Sequence, residues 1–261
     1  MTSQSELRCE KKIFHIQKNG NSPDENEDAY DSSEDNLRFA LADGATDSFR
    51  SKSWSKLLVD SFIKNPFFNI ERVRNPFDLE RKKETYINFI NWLEPLRQKW
   101  KSQIVWKNLR WNAEEKARIV GAFSTFLAIQ ITSRETRGIG CLSIGDTCVF
   151  ILHNNHLKKS WPIANSKDFN NTPYLLSSYQ KYNVKMEQHI RTFFYDDDCD
   201  LIVVATDAFA KWFLYEYEKD NQPWLQFENL DPLGFNELIF SLREAKEIQD
   251  DDTTAIFISF D

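Results

Sequence analysis

An α+β fold with antiparallel sheet is predicted by two features of the sequence. Strand-like apolar runs are separated by short turns, as local antiparallel pairing requires, and they are interspersed with segments whose apolar residues recur at helical spacing. A third feature marks where the chemistry lies. The runs LRFALAD, CLSIGD and LIVVATD each end on aspartate, at Asp43, Asp146 and Asp207, whereas the strand-like AIFISF is preceded by Asp250, Asp251 and Asp252. In an antiparallel sheet the start of one strand lies beside the ends of its neighbours, so these carboxylates can converge at one rim.

Taken in order, residues 12–17 (KIFHIQ) predict a first strand, followed by a polar loop with Asn19, Gly20 and Pro23 as turn formers. Glu27 and Asp28 come next, just before the strand that delivers Asp43. In that strand Leu37, Phe39 and Leu41 alternate with Arg38, Ala40 and Ala42, which predicts one face in a core. Gly44 then lets the backbone turn with its carbonyl exposed. Residues 51–64 space Trp54, Leu57, Leu58, Ser61 and Phe62 as one helical face, with serines available as its cap.

Composition changes over residues 71–118, where twelve Lys or Arg face seven Asp or Glu; this stretch is +5 and the rest of the chain −12. It also holds four of the eight tryptophans, Trp92, Trp100, Trp106 and Trp111. Because Ile87, Ile90, Trp92, Leu93, Leu96 and Trp100 fit a helical face, the segment is read as a basic helical insertion with solvated Lys and Arg, divided or kinked at Pro95. Residues 122–132 and 138–146 predict a hairpin around SRETR, and the Gly145-Asp146 turn is expected to lead locally into a third strand at 147–153. Residues 157–200 read as irregular and flap-like. His153 and His156 have a spacing that zinc can use on a helix, but Asn154 and Asn155 between them indicate a turn instead. Helices are predicted at 208–217, directly after Asp207, and at 235–246, with Leu238, Ile239 and Leu242 inward.

At 261 residues and 41% hydrophobic content the chain can bury a sizeable core as a single domain over 1–261. No apolar stretch reaches the roughly 20 residues that span a bilayer, and the first residues lack a hydrophobic leader, so a cytoplasmic protein with no membrane partner is expected. Cys9, Cys141, Cys148 and Cys199 form no CxxC pair and read as reduced thiols. A net charge of −7 argues against nucleic-acid binding. Several carboxylates brought to one rim must protonate or bind a cation, and an all-oxygen set suits magnesium or manganese rather than zinc.

The motifs NED, ADG, GD, ATDA and DDTT, in this order and over nearly the whole chain, resemble those of the protein phosphatase 2C family, bacterial members especially. The resemblance implies an antiparallel β-sandwich flanked by helices on both sides (α-β-β-α). It implies hydrolysis of phosphoserine and phosphothreonine in proteins by a water bridging two Mn2+ or Mg2+ ions. Asp43 would bridge both ions, the Gly44 carbonyl would bind the second, and Asp207 and Asp251 would bind the first. Glu27 and Asp28 would hold metal-bound waters or ligate directly, and Asp146 matches the position of a third, weaker ion. A phosphoprotein partner follows, a Ser/Thr kinase or its target.

The chain departs from the family pattern in places. Pro23 stands where many members carry a phosphate-gripping arginine, and Ala45 where eukaryotic members carry a histidine. Ala208 replaces a usual glycine, and Asp252 a common asparagine. These departures keep an alternative open, a catalytically weak relative that binds a phosphoprotein or kinase as a regulatory module. Action on small-molecule phosphoesters is a third, weaker reading.

Overall fold

A computed structural model of the chain describes residues 9–68, 79–132 and 138–260. Two five-stranded antiparallel sheets pack face to face. The first runs, in spatial order, β1 (Cys9–Ile16), β12 (Thr253–Phe260), β11 (Leu201–Ala205), β7 (Cys148–His153) and β8 (His156–Trp161). The second runs β10 (Arg191–Tyr195), β6 (Gly138–Ile144), β5 (Phe126–Thr132), β3 (Arg38–Ala42) and β2 (Ala29–Ser32). Helices α1 (Ser51–Lys64) and α2 (Leu79–Ser102) cover the second sheet, and α4 (Asp207–Glu218) and α5 (Pro232–Glu244) cover the first; α3 (Trp111–Ile119) follows α2. The predicted α-β-β-α sandwich is the fold observed.

Alternation along each strand sorts the side chains into layers. Ile202, Val204, Ile256 and Ile258 point between the sheets, where they meet Phe39, Leu41, Leu127 and Ile129. Their neighbours Val203, Ala205 and Phe257 face outward beneath Phe209, Phe213 and Phe235. On the second sheet, Ala40, Ala42 and Ala128 are small enough for α1 to lay Trp54, Leu58 and Phe62 close against the strands. The strand leading to Asp43 is therefore buried on both faces, where the sequence had indicated one.

Helix α1 has the predicted bounds, but no serine caps it. Arg50 holds the cap position at φ 54°, and the Ser51 hydroxyl is instead committed to Glu27. Pro95 does not divide α2. Both Pro95 and Asn91, whose carbonyl loses its helical partner, are exposed, so water can take up that bond. Ile87 is exposed rather than on the buried face, while Phe89, Leu93, Leu96 and Trp100 are buried. The beginning of the basic stretch and the SRETR loop lie outside the described residues.

Two further expectations are corrected. The Gly145-Asp146 turn does not lead into a neighbouring strand of the same sheet: β6 belongs to the second sheet and β7 to the first, so the turn is a crossover. The flap-like segment is also less irregular than its sequence indicates, because it supplies edge strands β8 and β10 and a short strand, β9 (Leu176–Ser177), paired with β4 (Phe123–Ser124). Asn154 and Asn155 do form a turn, both at positive φ, and the two histidines are engaged locally: His153 with Asp200 and His156 with the Asn154 carbonyl. Cys141, Cys148 and Cys199 are buried and Cys9 is half-buried.

Candidate metal centre

Strand register delivers the predicted acidic residues to one end of the sandwich. Ala29 pairs with Ala42, which sets Asp28 beside Asp43. Ala205 pairs with both Ala255 and Cys148, which brings Asp207, the segment before β12 and the Asp146 crossover together across three strands. Ile16 pairs with Thr253, so the chain leaving β1 passes Asp250, Asp251 and Asp252.

Each side chain is held by a neighbouring element. The Asp43 amide donates to Thr125 Oγ1 at 2.9 Å, and its carbonyl accepts from the Thr125 amide and Ser124 Oγ, both at 2.8 Å. Thr125 shares a 2.6 Å hydroxyl hydrogen bond with Thr147, which couples the Asp43 strand end to the Asp146 crossover. Gly145, at φ 102°, lies so close to Thr125 that a Cβ would stand 2.7 Å from its Cγ2. Gly44 is enclosed as tightly, with a Cβ position only 2.7 Å from the Glu27 carbonyl. The ladder bonds flanking Gly44, Thr125 to Asp43 and Ala45 to Phe123, turn its own carbonyl away from the Ser124 strand.

Asp28 Oδ2 accepts from Thr254 Oγ1 at 2.7 Å and Thr206 Oγ1 at 3.2 Å, whereas its Oδ1 is buried with no hydrogen-bond partner. Ser51 binds one oxygen of Glu27, and Lys18 Nζ lies 3.8 Å from the other. The same ammonium donates to Thr46 Oγ1 at 2.8 Å. Buried Asp252 gathers this loop by accepting from the amides of Lys18 and Glu27 at 2.9 and 2.7 Å. Arg243, also buried, donates to the Asp251 carbonyl and to the Gln17 carbonyl, fixing the acidic segment from behind.

Burial and mutual repulsion hold the carboxyls toward their neutral forms. Desolvation pushes Asp43 far above the ordinary carboxylate range, and the charges of Asp28, Asp207, Asp146 and Asp251 push it further. Asp28 is raised in the same way, chiefly by burial, and the bond from Thr254 offsets only part of the shift. Burial and then Asp207 bring Asp146 up to about 7, while burial and then Asp251 bring Asp207 up to about 6. Asp251, less enclosed, is raised mainly by desolvation. Among the described residues no three acidic, histidine or cysteine side chains are arranged closely enough to hold an ion as they stand. The donor chemistry nonetheless fits hard divalent cations: the groups are all oxygens, one carboxylate oxygen is orphaned, and the clustered carboxyls repel one another.

All seven predicted residues, Glu27, Asp28, Asp43, Gly44, Asp146, Asp207 and Asp251, thus reach the same rim. The sequence reading missed Lys18, Thr206, Thr254 and the bracing Arg243. Of these, Thr254 had a signal, since DDTT places two hydroxyls directly after the acidic run.

Residues 14–236 match the sequence profile described as "Protein phosphatase 2C". The chain belongs to the protein phosphatase 2C family. Solved structures share the fold at low identity. Serine/threonine phosphatase Stp1 from Staphylococcus aureus is 13% identical with a TM-score of 0.60, over 97% of this chain and 95% of that one. PppA from Pseudomonas aeruginosa, described as a key regulatory component of T6SS, is 14% identical with a TM-score of 0.57, over 98% and 100%. The catalytic domain of the serine/threonine protein phosphatase PstP, in complex with two manganese ions, is 12% identical with a TM-score of 0.57, over 97% and 99%. No curated relative matches the chain. Among the described residues, no helix is long and apolar enough to cross a membrane.

Proposed function

We propose that the chain is a divalent-metal-dependent phosphatase acting on phosphoserine and phosphothreonine in proteins. The observation that carries this reading is the unpartnered Asp28 Oδ1, buried beside Asp43, Asp207 and Asp251, whose charges repel one another. Such a cluster is incomplete without cations. Asp43, the Gly44 carbonyl, Asp207 and Asp251 would hold two ions, Glu27 and Asp28 would hold their waters or ligate them, and Asp146 would hold a third ion. Mn2+ and Mg2+ both suit these donors. When bound, the ions lower the pKa of the attacking water and neutralise charge on the phosphoryl oxygens.

The remaining work falls to the chain's own side chains. Thr206 and Thr254 orient Asp28 through its second oxygen, leaving the first without a hydrogen-bond partner. Asp252 and Arg243 fix the two loops that carry Glu27 and Asp251. Lys18 supplies an ammonium at the rim, where it can pair with a phosphoryl oxygen that Pro23 cannot hold. The Thr46 hydroxyl, polarised by its hydrogen bond from Lys18, is the donor offered to the leaving seryl or threonyl oxygen.

The test is turnover of an aryl phosphate and a phosphothreonine peptide with chelator, Mg2+ or Mn2+, beside Asp207→Ala. Metal-dependent turnover lost in the variant is expected. Metal binding without turnover of either substrate would overturn it in favour of a regulatory module that holds a phosphoprotein, the reading that Pro23 favours. Turnover of free phosphoesters far ahead of peptides would redirect the substrate class.

A further inference from the structure

Next to the acidic rim lies a cleft of about 690 Å³ whose lining includes Gly145, Asp146, His189 and Arg191. It carries charges of both signs. Asp146 belongs to the rim, and the same lining holds the exposed Arg191 and His189, the latter stacked face to face on Tyr174 with ring centroids 3.8 Å apart. Asp168 also lines the cleft, but its Oδ2 already accepts from Asn165 at 2.7 Å. Arg191 is rigidly mounted: it opens β10, opposite Ser143 of β6, and its Nη1 donates to the Pro162 carbonyl at 3.2 Å. One hydrogen bond leaves most of the guanidinium fork for a ligand.

Resting on the phosphatase reading above, we infer that this cleft receives the substrate chain beside the phosphorylated residue, and that Arg191 recognises an anionic side chain in it. The register sets the distance. Ser143, opposite Arg191, is three residues from Asp146, a span of at most about 10 Å at strand rise. An extended peptide covers that span in two or three residues. The recognised anion is therefore an acidic or phosphorylated residue two or three positions from the scissile phosphoresidue. The loaded rim and Arg191 would hold two negative groups of one peptide, with Tyr174 and Pro173 among the apolar lining of the same cleft. Arg191 is here a specificity residue, remote from the reacting atoms.

The experiment uses the full chain with Mn2+ and three sets of phosphothreonine peptides, with Glu, phosphoserine or Lys placed two or three residues away on either side. For each, kcat/KM is taken relative to that for an aryl phosphate, and binding of the labelled peptides is measured by fluorescence polarisation. Wild type is expected to favour the Glu or phosphoserine peptides over the Lys peptides. Arg191→Ala should reduce that preference roughly threefold to fivefold and Arg191→Glu should invert it, with the change in KM rather than kcat, as suits an exposed charge contact. The Glu and phosphoserine arms distinguish a carboxylate reader from a phosphate reader. Equal handling of all peptides by wild type, or a preference that survives Arg191→Glu, overturns the assignment. Absence of aryl phosphate turnover in wild type would instead defeat the phosphatase reading, and the polarisation arm would still decide the cleft by the same two criteria.

Discussion

On β11 the side chains of Ile202 and Val204 are buried among hydrocarbon between the sheets, and a few residues later Asp207 is enclosed among carboxylates. The two regions are built from the same strands, the rim being mostly half-buried where the sandwich interior is fully closed, yet burial has opposite consequences in them. Between the sheets it removes apolar surface from water and stabilises the fold. At the rim it removes the solvation that carboxylates need, so the carboxyls there are pushed toward their neutral forms. The comparison separates what keeps this molecule folded from what it is folded for, and it predicts opposite responses to mutation.

The largest effect is expected at the rim. On the proposed function, Asp43→Asn should lower turnover by at least about a hundredfold, as loss of a principal metal-holding carboxylate would. The same variant should weaken metal binding yet raise the melting temperature of the chelated protein, because it removes a carboxyl that burial and its acidic neighbours penalise. Calorimetry in chelator and metal titration read both. Wild-type turnover in Asp43→Asn would sink the site assignment, and a lower melting temperature would show that Asp43 is structural.

The counterpart lies five residues before Asp207 along the chain, inside the sandwich. Ile202→Ala removes a fully buried side chain between the sheets and should cost about 2–5 kcal/mol of stability. For a chain of this size each kcal/mol corresponds to roughly 2–4 °C in melting temperature. Activity per folded molecule, measured well below the transition, should stay within about twofold, because β11 still delivers Asp207 in register. A steep activity loss at full folding would mean that core and rim are mechanically coupled, and the comparison would fail.

Acid should act on the two regions differently too. Asp146 and Asp207 have folded-state pKa values raised to about 7 and about 6, above the ordinary value of 3.8. Between those limits these carboxyls bind more protons in the folded protein than in the unfolded chain, so the metal-free protein should lose stability as pH rises from about 4 to 7, and the raised Asp28 and Asp43 act in the same direction. Saturating Mn2+ should flatten or reverse that slope, since the ionised groups then have a partner. Melting curves from pH 5 to 8, with and without chelator, measure it. A metal-free protein that grows more stable over this range would contradict the buried, repelling cluster.

The rim was legible in the sequence because its residues sit at strand ends, where a sharp change from apolar to acidic is a local signal. Asp43, Asp146 and Asp207 each close such a run, and the reversed order at Asp251 identified the antiparallel neighbour. What escaped was decided by distant partners. Nothing local distinguishes a hairpin from a change of sheet, so the crossover at Asp146 read as an ordinary turn. Strand β8 carries Lys158 and Lys159, as an exposed sheet edge often does, and those charges obscure the strand pattern. Lys18 belongs to the site only because Asp252, at the other end of the chain, holds its amide. Ser51 looked like a helix cap, but its hydroxyl is taken by Glu27, a preference that only the folded arrangement creates.

The smallest expected effect tests the border between the two regions. Asp146 is buried, yet it lies on a crossover that also opens to the cleft, so it belongs partly to each. Asp146→Ala should leave the two principal metal sites at near wild-type affinity while reducing turnover at limiting Mn2+, with the deficit shrinking as metal is raised. The variant also removes a carboxyl that is difficult to ionise, so the chelated protein should lose part of its stability decline near pH 7. These two readouts are independent. An unchanged metal dependence would remove Asp146 from the metal centre, and an unchanged pH profile would mean that its charge is relieved by solvent in the cleft. If both changed, the crossover would be the place where the acidic rim is extended toward the substrate cleft.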